Sequence, residues 1–355
     1  MPLLARTVLA PIAIEVRPGA VDSLAPLLSD GRISTGGKVA VAVGPARGDA
    51  IATRLAEQLP RASIISVEGG TLESALQLGD HLRRDFHDAV VGIGGGRTLD
   101  AAKYAASLVG LPFVAVATTL THDGLASPVA TLDSNGRRAS FGVHVPIAVF
   151  VDIDEVRDAP DRHLRSGVGD VLSNLSAIAD WELARRVRGE PVDGLAVSLA
   201  RTSAEAVIAA DGEGDHFIAL VADALIMSGL AMTMAGSSRP CSGACHEISH
   251  ALDAYHGSPG FHGEQVALGA LFASWLRARR GIADDDLFPR LDAAMGRFQL
   301  PRHPKELGVD AATFRDAVVR APLTRPDRFT VLEHLDLDPS QTEELVDAFL
   351  ATIDS

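Results

Sequence analysis

The hydrophobic positions along this chain change their period once, near the middle. Up to about residue 155, short continuous apolar runs alternate with amphipathic stretches. Residues 38–43 (KVAVAV), 62–67, 89–93 (AVVGI), 112–117 (PFVAVA) and 147–152 (IAVFVD) lack the alternation of a half-exposed strand, so they read as strands buried on both faces. Between them, residues 49–58, 71–84 and 98–108 carry helical spacing. Strands and helices in strict alternation predict a parallel, doubly wound sheet. From Asp161 onward the 3.6-residue period takes over and convincing strands disappear: 173–188, 195–210, 216–235, 265–280 and 342–352 each read as helices. The expected organisation is an α/β N-terminal domain (1–155) and an all-α C-terminal domain (156–355), with a small ligand expected in a cleft between them.

Composition narrows the partners. Of the 355 residues 47% are hydrophobic and 22% charged, the balance of a globular chain. A net charge of −14 repels phosphate backbones and anionic lipid, so nucleic acid and membrane insertion are not expected. An anionic small substrate then needs local cations, and with only three lysines (Lys38, Lys103, Lys305) these fall to arginine. Arg137, Arg138 and Arg239 are candidates. Cys241 and Cys245 are too few for a disulfide framework. The opening MPLLARTVLAPIAIEV reads as a strand or hairpin entry rather than a signal peptide. The most apolar stretch, 217–235, is interrupted by Asp223 and Ser228 and is not expected to span a membrane. A cytoplasmic location follows.

Four segments carry candidate chemistry. Gly94-Gly95-Gly96-Arg97-Thr98-Leu99-Asp100 lies between a buried strand and a helix, where glycines let backbone N–H groups approach an anion; a tight turn needing glycine for steric reasons explains it equally well. Thr118-Thr119-Leu120-Thr121-His122-Asp123-Gly124 follows the next strand, at the end where ligands of open sheets bind, or is an ordinary polar turn. Asp170, in GVGDVLSN, reads by itself as the N-cap of a helix. His246-Glu247-Ile248-Ser249-His250 puts two imidazoles on one helix face, and with His262 downstream it points to a metal. The same five residues are a literal H-E-x-x-H, in which both histidines bind zinc and Glu247 is the base of a hydrolase. That alternative leaves the glycine turn and the α/β half unused.

Taken together, GIGGGRTLDAAKYAA (92–106), ATTLTHDGLASPVA (117–130), SGVGDVLSNLSAIADWELA (166–184), SSRPCSGACHEISHALD (237–253) and HGEQVALG (262–269) resemble, in order, the superfamily of iron-containing alcohol dehydrogenases, glycerol dehydrogenases and dehydroquinate synthases, and within it the glycerol-1-phosphate dehydrogenase branch. The resemblance implies a Rossmann-like N-terminal domain with a helical C-terminal domain, the dehydroquinate synthase-like fold. It implies one divalent metal on Asp170, His246 and His262 (zinc, with nickel or iron as alternatives) and a proton-relaying His250. It also implies NADP or NAD on Gly94, Gly95, Gly96, Asp100, Thr118, Thr119 and Ser127, with Asp123 beside the substrate hydroxyls. The implied reaction reduces dihydroxyacetone phosphate, so the partner is a small phosphorylated triose or polyol, and a homo-oligomer is expected. Free-polyol dehydrogenase and dehydroquinate-synthase-like cyclase are the related alternatives; a catalytically silent metal-binding relative is a third. Two departures matter: Ala244-Cys245 stands where relatives carry Ser-Glu, which bears on substrate. Gly44, with Arg47 nearby, stands where NAD-restricted relatives carry an acid, so NADP is expected to be tolerated.

Overall fold

In the computed structural model, which describes residues 10–28, 33–34, 37–45, 47–282 and 286–354, the apolar runs form the strands. They are β1 (Ala13–Arg17), β2 (Val39–Val43), β3 (Ser63–Ser66), β4 (Ala89–Gly94), β5 (Phe113–Ala117), β6 (Val129–Ser134), β7 (Arg137–Gly142) and β8 (Ala148–Asp152). Six of them make one sheet in the order β1-β8-β5-β4-β2-β3, with every pairing parallel. Every residue of β2, β4, β5 and β8 is buried, which is why their sequences show no alternation; the edge strand β3 does alternate. With them run α1 (Leu24–Leu28), α2 (Arg47–Ala56), α3 (Leu72–Arg84), α4 (Gly96–Val109) and α5 (Ile153–Arg157). The chain goes outward from β2 to β3, then returns to lay β4 on the other side of β2. The gap beyond the carboxyl ends of β2 and β4 is thus the point where strand order reverses, the usual ligand position of an open α/β sheet.

The rest is helical: α6 (Asp161–Arg188), α7 (Gly194–Ala209), α8 (Gly214–Ala235), α9 (Ala244–Tyr255), α10 (His262–Arg279), α11 (Leu287–Arg297), α12 (Ala311–Thr324), α13 (Val331–Leu335) and α14 (Pro339–Ile353). The chain divides into two compact units, Met1–Leu120 with Gly124–Ala159, and Thr121–Asp123 with Pro160–Ser355. Three residues of the Thr118–Gly124 segment therefore belong with the helices.

Three local expectations are corrected. Asp170 is not an N-cap: α6 starts at Asp161, and Gly167, Gly169 and Asp170 are buried inside it. The antiparallel hairpin β6–β7 was not expected, although its Asn135-Gly136 turn, with φ of 55° and 74°, is the standard two-residue hairpin signal. Helix α8 has the length and apolar content to span a bilayer despite Asp223 and Ser228, yet 61% of its most apolar window is buried within the fold. The first part of the N-terminal strand reading, residues 1–9, and the side chain of Arg47 lie outside the described residues.

Candidate active site

Small residues bring the helices of the second unit together. A Cβ on Gly263 would lie 1.7 Å from the Ser166 carbonyl oxygen, and one on Gly169 would lie 2.3 Å from the Gly263 oxygen. Helix α6 and the first turn of α10 therefore meet backbone to backbone, as only glycine permits. That contact sets Asp170, beside Gly169, against His262, beside Gly263. On α10's flank toward α9, Gly269 makes the same allowance: its Cβ would meet the Cys245 oxygen at 2.8 Å. Helix α9 then delivers His246.

Ligand atoms of Asp170, His246 and His262 lie within 4.8 Å of one another. Asp170 Oδ1 is 3.7 Å from His262 Nε2 and 4.0 Å from His246 Nε2, while Oδ2 accepts the Asp123 N–H at 2.8 Å. Burial pushes the Asp170 carboxyl up from the carboxylate range, against the Asp123 N–H. Burial, then His262, pushes the His246 imidazole well below its ordinary value. Two ring nitrogens thus converge on a buried carboxylate oxygen without hydrogen-bonding it. Bonds of roughly 2.0–2.1 Å in a tetrahedral site put donors about 3.3 Å apart, so a small contraction of this cluster accommodates a divalent cation. The donor set suits zinc, nickel or iron.

Neighbouring groups set the ring orientation of His262. The Ser249 hydroxyl donates to Gln265 Oε1 (2.6 Å), which leaves its oxygen to accept from His262 Nδ1 (3.3 Å) and turns the Nε2 lone pair toward Asp170. Gln265 is oriented in turn by donating to Asp253 and to the Pro259 carbonyl, both at 3.0 Å. One turn beyond His246, with ring centroids 6.3 Å apart, His250 accepts the Arg325 Nε–H at Nδ1 (3.3 Å), so its own ring proton sits on Nε2.

Glu247 is fully buried, accepts from Thr330 Oγ1 at 3.1 Å, and is pushed up to about 9 by burial and then by Glu333 and Asp180. A neutral carboxyl turned into the core is no hydrolase base, which removes the main support for the H-E-x-x-H zinc hydrolase reading. Glu247→Gln, an isostere of the protonated acid, should leave metal content and kcat/KM within a few-fold, where a protease would lose its activity; metal analysis and steady-state rates decide. Cys241 and Cys245 are buried; burial raises both thiols, that of Cys245 to about 12, so neither offers a thiolate.

In the first unit the β4–α4 turn sits at the strand-order reversal. Gly95 caps α4 with no side chain, so the first N–H groups of the helix have no side-chain partner there. Cβ atoms on Gly44 and Gly95 would lie 2.3 Å from Thr98 Oγ1 and 2.8 Å from Thr119 Oγ1, so close packing excludes an acidic side chain at position 44 without a shift of Thr98. Gly95, Gly96 and Thr119 are partly exposed; Gly94 and Thr118 are buried and joined by a Thr118 N–H to Gly94 O bond of 3.0 Å. Asp100 and Ser127 differ from the expectation of direct contact. Asp100 accepts the Thr131 N–H (3.1 Å) and faces Lys103 Nζ (3.3 Å), which donates to the Ser127 and Gly124 carbonyls, while the Ser127 hydroxyl donates to Val129 O (3.2 Å). Asp100 Oδ2 and the Ser127 hydroxyl proton serve the 124–131 segment, while the buried Asp100 Oδ1 faces Lys103 without accepting a hydrogen bond.

Asp123 is half-buried, tied through its N–H to Asp170, and the neighbouring Thr121 carbonyl accepts the Ser166 hydroxyl at 2.9 Å. Of the arginines expected to serve an anion, Arg137 and Arg138 are exposed on β7, and Arg239 is committed to Glu190 (2.6 Å) and to the Phe329 carbonyl (2.9 Å). The cation beside His250 is instead Arg325, which shares Ser238 with Arg328, both in a segment whose sequence offers only generic helical spacing.

Residues 15–160 match the family model described as iron-containing alcohol dehydrogenase. The chain is 38% identical over 288 residues to glycerol-1-phosphate dehydrogenase (NAD(P)+) of Archaeoglobus fulgidus, covering 79% of this chain and 81% of that protein. It is 34% identical over 346 residues to the enzyme of the same name from Staphylothermus marinus, covering 95% of each. Its fold is that of a solved probable glycerol dehydrogenase from Sinorhizobium meliloti 1021, with a TM-score of 0.80 at 23% identity over 98% of this chain and 99% of that one. By its sequence, as its ordered motifs implied, the chain belongs to the NAD(P)-linked glycerol-1-phosphate dehydrogenase family.

Proposed function

We propose that this chain reversibly reduces dihydroxyacetone phosphate to sn-glycerol 1-phosphate with NADPH or NADH. The observation that carries the reading is the convergence of Asp170, His246 and His262, with His250 one helical turn away, in a chain of this family. Those three residues would hold the metal. When bound, a divalent metal polarises the carbonyl oxygen and the reduced dinucleotide supplies the hydride. His250 does the proton work: its Nε2 proton moves to the substrate oxygen and is replaced from water at the same nitrogen, while Arg325, donating to Nδ1, keeps the ring in the tautomer that has Nε2 protonated. Asp123 holds Asp170 through its backbone and lies beside the substrate hydroxyls. Gly95, Gly96 and Thr119 receive the dinucleotide pyrophosphate at the start of α4, shaped by Gly94 and Thr118, while Asp100 and Ser127 act by holding the following segment. Gly44 leaves no carboxylate at the end of β2 to reject a 2′-phosphate, which favours use of both cofactors. A cytoplasmic location accords with the mostly buried α8; a homo-oligomeric assembly belongs to the same reading.

The test is turnover by protein loaded separately with zinc, nickel and ferrous iron, offered dihydroxyacetone phosphate and free dihydroxyacetone with each cofactor. Oxidation of NAD(P)H with the phosphorylated ketose, yielding the sn-1 product, is expected. Failure of every metal and cofactor combination on that substrate would sink the proposal, and preference for the free ketose would favour a polyol dehydrogenase.

A further inference from the structure

A cavity of about 410 Å3 in the second unit is lined by Glu190, Ser237, Arg239, Arg325, Asp327 and Arg328. Three guanidinium groups in one recess are unusual for a chain of net charge −14. Their commitments differ. Arg239 is neutralised by Glu190, whereas among the described residues neither Arg325 nor Arg328 is in an ion pair, and Asp327 stays exposed at the rim. Arg325 donates to Ser238 Oγ (3.2 Å) and His250 Nδ1 (3.3 Å); Arg328 donates to the same Ser238 oxygen (2.9 Å) and to the Ser242 carbonyl. A guanidinium has five N–H groups, so each of the two keeps three unspent. Ser238, accepting from both, has its own O–H left to give. Burial lowers both arginines, and Arg325 together with Arg239 adds to the lowering at Arg328, to about 10: the cluster is a strained concentration of positive charge that an anion would relieve.

We propose that Arg325, Arg328 and Ser238 seat the phosphate of the substrate and thereby decide for phosphorylated over free ketoses. The inference rests on the reaction proposed above for its substrate, but the seat itself is defined by these three side chains. Its position fits that substrate, because Arg325 is one hydrogen bond from His250 and a three-carbon ketose phosphate has its carbonyl and its phosphate ester only a few bonds apart. Planar forks match phosphate oxygens in pairs, which a lysine at either position would not reproduce.

Two readouts separate this inference from the reaction. Inorganic phosphate binding to the metal-loaded protein is measured by calorimetry, and kcat/KM is compared for dihydroxyacetone phosphate and dihydroxyacetone, in Arg328→Gln, Arg325→Gln and the milder Ser238→Ala. Loss of a charge-assisted hydrogen-bond pair should weaken phosphate binding about 10- to 100-fold and lower the phosphorylated-to-free ratio by a similar factor, with Ser238→Ala smaller and Arg328→Lys partly restored. Should the unaltered protein reduce neither ketose yet bind phosphate in a way these variants impair, the reaction falls and the phosphate seat stands. Unchanged phosphate affinity in the arginine variants, or an equal fall of kcat/KM on both ketoses, overturns the seat.

Discussion

Asp170→Asn should leave a folded protein that no longer retains a divalent metal and whose turnover falls by roughly three orders of magnitude or more, the scale of several kcal/mol of lost charge stabilisation at the reacting carbonyl. The substitution is chosen because the asparagine oxygen can still accept the Asp123 N–H that Asp170 Oδ2 now holds at 2.8 Å. The negative charge leaves, and an amide NH2 replaces the Oδ1 that faces the two imidazoles. Two buried imidazoles without a carboxylate give a cation no charge compensation. In the metal-free state the sign reverses, since burial already disfavours the Asp170 anion, so the metal-free variant should melt no lower than the metal-free parent. Added metal should then raise the melting temperature of the parent and not that of the variant. Elemental analysis with paired melts reads both effects; a variant holding stoichiometric metal at parental turnover contradicts the assignment.

Gly263→Ala should be nearly as damaging from a position that touches no ligand. Its methyl would stand 1.7 Å from the Ser166 oxygen, and no flexible side chain is there to yield, so two helix backbones must separate. Overpacking of a well-filled core costs about 1–3 kcal/mol and more when only backbone can move. Separation of α6 from α10 carries Asp170 away from His262, so metal affinity should fall at least tenfold together with stability. Gly194→Ala is the control: nothing lies within 4 Å of its added methyl, it opens α7, and it should be neutral or slightly stabilising. If Gly263→Ala binds metal like the parent, the backbone contact does not set the ligand geometry.

Much of the fold was written in local pattern. Continuous apolar runs marked the buried parallel strands to within a residue or two, because a strand covered on both faces has no polar side to show. The H-E-x-x-H spacing put His246 and His250 on one helix face, since that is a property of the helix alone. What the pattern misread were residues whose surroundings are supplied from far along the chain. Asp170 looked like a cap, because the reason for Gly169 beside it, the oncoming backbone of Gly263, lies nearly a hundred positions away. Asp100 and Ser127, named for the cofactor by the resemblance, have partners no local pattern announced: Thr131 and Lys103 for the carboxylate, Val129 for the hydroxyl. Glu247 was a base only in the H-E-x-x-H alternative, and Thr330, Glu333 and Asp180 close around it from far along the chain.

The sequence by itself determined the two-part organisation, the glycine turn after β4, the helix that pairs His246 with His250, and the family, all of which depend on neighbours in the chain or on motif order. Tertiary structure decided that Glu247 is buried in the core while Asp170, which local pattern read as a cap and only the family resemblance named as a ligand, faces the imidazoles, and that Arg325 rather than Arg137 or Arg138 stands beside His250. The physical reason is that hydrophobic periodicity reports which face of an element is buried. It does not say which distant backbone comes close enough to use the polar groups on that face.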